Sequence, residues 1–126
     1  MAINPVTPGI HHINLRCADM AITKAFYQDK LGFAIPLEND ELFAFAVGGV
    51  YIVFKKADEG TSFNPHTIGT DHIAMACASE DELERVAKGL TDEGIENTGV
   101  KLDQTLQKKY VAFKDPDRIQ WEFYMM

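Results

Sequence analysis

Residues 10–19 read IHHINLRCAD, and sixty positions further on residues 70–79 read TDHIAMACAS. That register sets His12 on His72, Ile13 on Ile73, Cys17 on Cys77 and Asp19 on Ser79. An internal repeat constrains the fold strongly, because each copy is one supersecondary unit that must bury its apolar face against something. At 126 residues the chain has the length of one domain, enough to bury a core without disulfides or a structural metal. The two copies are therefore halves of a single domain.

Each half reads as the same series of elements. The first opens with a strand over 9–17. Asp19 then caps a helix in which Ile22, Ala25 and Phe26 fall at helical spacing, and Gly32 ends it. Strands over 33–37, 42–47 and 50–55 follow, with Gly48-Gly49 supplying a tight hairpin. Residues 56–69, KADEGTSFNPHTIG, lack periodicity and read as the linker. The second half starts with a strand over 70–77. Ser79 and Glu82 then form a capping box, and Leu83, Val86, Ala87 and Leu90 make an i, i+3, i+4, i+7 stripe that Gly94 stops. Strands over 97–102, 107–113 and 119–125 complete it, the last two joined by Asp115-Pro116-Asp117. The expected class is α+β: two βαβββ modules, 9–55 and 70–125. Each helix has one apolar stripe, so it covers one side of its sheet and leaves the other open. Two such sheets side by side make a curved, eight-stranded cup.

Strand alternation decides which side chains share the open side. On the first strand His12, Asn14 and Arg16 point there, while His11, Ile13, Leu15 and Cys17 point to the helix. His72, Ala74 and Ala76 take the open side in the repeat. On the last strand Gln120, Glu122 and Tyr124 do so, with Ile119, Trp121 and Phe123 beneath. His12, His72 and Glu122 thus converge on one surface. Two neutral imidazoles and a carboxylate suit a divalent first-row ion (Fe, Mn, Ni, Co or Zn) and leave coordination positions free for water or substrate. Without an ion, Glu122 has no cationic neighbour on that surface except Arg16, which costs solvation energy.

Twelve Lys and Arg stand against 19 Asp and Glu, a formal charge of −7. With no basic stripe, the chain is expected to bind no nucleic acid. No apolar run reaches the roughly 18–20 residues that cross a bilayer, and no leader opens the sequence. The expected setting is cytoplasmic, where Cys17 and Cys77, both on the helix side, read as buried free thiols rather than a disulfide. His11 reads as a structural histidine and His66 as a solvent-exposed one.

The whole chain resembles the vicinal oxygen chelate superfamily of glyoxalases, extradiol dioxygenases, fosfomycin-resistance thiol transferases and bleomycin-resistance proteins. The matching pieces are His12-Ile-Asn-Leu-Arg with Asp19, Ala25-Phe26-Tyr27 through Leu31-Gly32-Phe33, Asp71-His72-Ile-Ala, and Phe113-Lys-Asp-Pro-Asp with Glu122 beyond it. By position, His12, His72 and Glu122 fall on three metal-ligand sites of that superfamily. The fourth falls on Val53, which cannot coordinate, and this departs from the glyoxalase I pattern.

The resemblance implies a metal-dependent lyase, isomerase, thiol transferase or ring-cleaving dioxygenase acting on a small, oxygen-rich, chelating substrate. In such a site Arg16 would pair with a substrate carboxylate, and Tyr110 and Tyr124 would contact substrate oxygens. It also implies a homodimer, in which modules pair within one chain or across two. The alternative is a non-enzymatic binding protein of the bleomycin-resistance kind, sequestering a ligand in an aromatic groove. One fold hosts both.

Overall fold

The computed structural model describes all 126 residues. The first module comprises β1 (His12–Cys17), α1 (Met20–Ala25), a π-helical turn (Phe26–Lys30), β2 (Leu37–Glu38), β3 (Leu42–Val47) and β4 (Val50–Lys56). The second comprises β5 (His72–Cys77), α2 (Glu80–Asp92), β6 (Lys101–Asp103), β7 (Lys108–Lys114) and β8 (Gln120–Met125). The architecture is α+β, with two four-stranded sheets ordered β1-β4-β3-β2 and β5-β8-β7-β6. No helix is long and apolar enough to cross a membrane.

The duplication extends to register. β1 runs parallel to β4 with His12 opposite Tyr51 and Asn14 opposite Val53. β5 runs parallel to β8 with His72 opposite Gln120 and Ala74 opposite Glu122. Val53 and Glu122 therefore occupy matched positions, and both are buried.

Three sequence expectations need adjustment. The strand expected over 33–37 contracts to Leu37–Glu38, because Pro36 has no N–H to give a ladder. The strand expected over 97–102 contracts to Lys101–Asp103, leaving Asn97 in an isolated bridge to Phe113. Asn97 Nδ2 instead donates to Thr91 and to the Ile95 carbonyl, and Gly99 turns the chain at φ 65°. In the first helix the buried stripe is Thr23, Phe26 and Tyr27, with Ile22 outside. Both N-caps form as expected, Asp19 accepting from the Ile22 N–H and Ser79 from the Glu82 N–H.

The reason for the shifted stripe lies in how the modules join. After Ala25 the helix loosens into its π-turn, with the Leu31 N–H donating to the Phe26 carbonyl at 3.1 Å. This sets Tyr27 between the sheets, 4.9 Å from Phe45, 5.0 Å from Phe54 and 5.9 Å from Trp121 by ring centroids. Trp121 Nε1 donates to the Tyr27 hydroxyl, which donates to Asp115 Oδ2, each at 2.7 Å. Asp115 Oδ1 accepts from the backbone of Asp117 and Ile119. Asp117 in turn accepts from the Ala18 N–H. Burial pushes both the Tyr27 phenol and the Asp115 carboxyl above their ordinary values.

One core cluster spans both modules, from Leu15 and Cys17 to Trp121. Cys17 and Cys77 are buried free thiols within it, as expected. The helix sides of both sheets feed this common core. Their open sides are turned away from it.

Candidate metal centre

His72 opens β5 and Glu122 lies three residues into β8, so the parallel register places them on neighbouring strands of one open face. His72 Nε2 stands 3.6 Å from Glu122 Oε1. Asp71 Oδ1 lies 2.7 Å from His72 Nδ1. An ionised carboxylate only accepts, so Nδ1 carries a proton and donates to Asp71, leaving Nε2 as the ring nitrogen turned toward Glu122. On the far side, Gln120 Nε2 donates to Glu122 Oε2 at 3.0 Å. One carboxylate oxygen is thus held and the other is free.

These two donors fit a divalent ion. Bonds of about 2.1 Å at a tetrahedral angle would space a nitrogen and an oxygen about 3.4 Å apart, close to the separation found. Glu122 is shielded and His72 half-open, with side-chain exposures of 11% and 41%. That combination suits a site with one dry wall and one open position.

The third expected ligand stands elsewhere. His12 opens β1 on the open face of the other sheet, exposed, and no group of three or more His, Cys, Asp or Glu in the chain is arranged to hold an ion. Its Nδ1 lies 2.9 Å from His11 Nδ1. His11 is exposed, not turned under the helix as strand parity implied, because β1 begins only at His12. His11 therefore precedes His12 as Asp71 precedes His72, each touching the Nδ1 of its successor. The repeat register already aligned these positions and was the signal for it.

The other candidates divide between the faces. Tyr110 and Tyr124 share the face of Glu122 and stack at 6.0 Å. Tyr124 donates to Asp103 Oδ2 at 2.7 Å, and partial desolvation with that bond pushes its phenol up to about 12. The same bond holds the Asp103 carboxyl below its usual range. Arg16 shares the face of His12, and its Nη1 donates to the Lys56 carbonyl at 3.0 Å. Gln120 and Asp71, which hydrogen-bond Glu122 and His72, are not singled out as functional by the sequence.

Residues 9–123 match the sequence model of the Glyoxalase/Bleomycin resistance protein/Dioxygenase superfamily. The chain belongs to this superfamily. It is 30% identical to the uncharacterized protein YwkD of Bacillus subtilis, covering 92% of this chain and 95% of that one. It is 24% identical to the metallothiol transferase FosB of Staphylococcus saprophyticus, over 92% and 76% respectively. Among solved structures, the glyoxalase family protein from Enterococcus faecalis superposes with a TM-score of 0.79 at 26% identity, covering 93% and 97%. Superfamily membership accounts for the paired modules.

Proposed function

We propose that the protein is a metal-dependent enzyme of the glyoxalase/dioxygenase type whose site is completed between two copies of the chain. His72 and Glu122 of one copy would hold the ion together with His12 of the partner subunit. The observation that carries this reading is the His72–Glu122 pair, with Nε2 and Oε1 aimed at one point 3.6 Å across and their other atoms occupied. Support for sharing comes from the common core: each module uses its helix side to bind the other, so its open side is left for a second chain. Likeness to a metallothiol transferase agrees with a metal-using relative.

A divalent ion at this point would supply Lewis acidity toward a substrate that chelates through neighbouring oxygens. The chain's own residues would do the rest. Asp71 keeps the His72 proton on Nδ1, and Gln120 keeps Glu122 from rotating toward solvent. Arg16 would meet a substrate carboxylate from the His12 face, in a bidentate geometry that lysine lacks. Tyr124 remains protonated at neutral pH and gives its one hydroxyl proton to Asp103, so toward a substrate it would accept a hydrogen bond rather than act as a base. Val53, at the position matching Glu122, adds an apolar wall and no ligand.

Metal content decides the matter. Untagged protein purified without chelators should carry Mn, Fe, Co, Ni or Zn, or take one up on titration. His12→Ala and Glu122→Ala should each abolish uptake. Mixing and refolding the two variants should restore one site per mixed dimer, since the intact His12 of one copy then meets the intact His72 and Glu122 of the other. Failure to bind any of the five metals would overturn the enzymatic reading in favour of a sequestering protein. Uptake without complementation would place the whole site within one chain.

A further inference from the structure

The cavity at the junction of the modules has a volume of about 460 Å³ and lies between the π-turn, the segment after α2, and the end of β7. That is within the range of small-molecule sites. Lys30, Lys114 and Arg118 all line it. Lys30 comes from the π-turn, Lys114 from the end of β7 and Arg118 from the β7–β8 connection. None makes an ion pair, whereas Lys24, Lys56, Arg85, Lys88 and Lys109 each pair with a carboxylate; Arg16, Lys55, Lys101 and Lys108 are also without one, but none of those four lines this cavity. In a chain with 19 acidic and 12 basic residues, three unpaired cations around one cavity stand out.

The backbone adds a second observation. Arg118 has φ 71°, in the left-handed region where a side chain is strained and glycine is favoured. Such strain in a non-glycine residue points to function when the side chain has somewhere to act. Here it lines the cavity.

The carboxylates nearby do not cancel this. Asp115 is turned inward, accepting from Tyr27 and from the backbone of Asp117 and Ile119. Glu96 is exposed and unpaired at the rim, and is the one carboxylate opposing the three cations. Phe26 and Phe113 give an apolar wall, so the cavity offers both charge and a surface for a carbon skeleton.

We infer that this junction cavity binds a small, multiply charged oxyanion, either a phosphate ester or a polycarboxylate, through Lys30, Lys114 and Arg118. The site adjoins the candidate metal centre through Gln120, which donates to Glu122, and through Ala112, the cross-strand neighbour of Glu122, and its binding requires no metal.

The test is calorimetric titration of untagged, chelator-treated protein with inorganic phosphate and with citrate, at constant ionic strength against a chloride control. Saturable binding of at least one is expected, and the tighter of the two names the source of the oxyanion. Arg118→Gly should weaken it about ten-fold while the melting temperature holds or rises, because glycine relieves the left-handed strain. Lys114→Gln should weaken it by a smaller factor, Glu96→Gln should tighten it, and Lys56→Ala should leave it unchanged. No saturable binding beyond the chloride control would overturn the inference. So would equal affinity in Arg118→Gly and the parent.

Discussion

The two modules share a register but divide their work. The second has a 13-residue helix with a capped start, and its sheet carries His72, Glu122 and the residues that steady them. The first has a six-residue helix that loosens into a π-turn, and its sheet carries Val53 where the second has Glu122. What the first module supplies is Tyr27, the side chain on which the two sheets close. A duplicated unit can therefore hold one fold while one copy provides the joint and the other most of the candidate site.

The comparison breaks most severely at Trp121, fully buried and touching both Tyr27 and Phe45 across the joint. Trp121→Ala should cost about 3–5 kcal/mol, read as a fall in urea midpoint. If the modules were independent, the loss would appear as a second transition confined to one half. A single cooperative transition at lower urea is expected instead. Tyr27→Phe keeps the ring and removes only the hydroxyl, stranding Trp121 Nε1 and Asp115 Oδ2. Leaving buried polar groups unpaired should cost about 2 kcal/mol, smaller than the cavity but large for one atom.

Below these comes helix capping. Ser79→Ala removes the acceptor for the Glu82 N–H and should cost about 1 kcal/mol. Asp19→Ala removes the equivalent bond to Ile22, but α1 is also fastened through Thr23 and Ala18 to Asp117. Its loss should be the lesser of the two in denaturant melts. The reverse order would mean that the short helix depends on its cap and not on the joint.

Much of this was legible in sequence. The repeat fixed two βαβββ modules, and period-two alternation sorted Leu15, Cys17, Met75, Cys77 and Trp121 into the core. The capping box at Ser79 announced α2. What sequence reasoning missed depends on tertiary partners or on where an element begins. Nothing local marks Phe26–Lys30 as a π-turn; it forms because the Tyr27 hydroxyl meets Trp121 and Asp115, which lie far along the chain. Starting β1 at Gly9, three residues too early, puts His11 under the helix. Parity also showed that His12 and His72 occupy equivalent faces. It is silent on whether equivalent faces of one chain meet, and that depends on how the modules pack.

The smallest expected effect concerns Asp115 and is a slope rather than an offset. Burial raises its carboxyl above the ordinary value, so the folded protein holds that proton more tightly than the unfolded chain does. The stabilising contribution of this group is then complete below the unfolded value, about pH 4, and is lost as pH rises through the raised one. Asp115→Asn is neutral throughout and should carry no such dependence. It will have a constant penalty of its own, because the single amide oxygen can accept either from Tyr27 or from the Asp117 and Ile119 N–H groups, not from both. The informative quantity is therefore the difference in unfolding free energy between parent and variant, followed from about pH 4 upward. That difference should shift against the parent as pH increases. If the two curves run parallel, burial at the joint does not govern the Asp115 proton, and the bonds from Tyr27, Asp117 and Ile119 hold its charge at no cost.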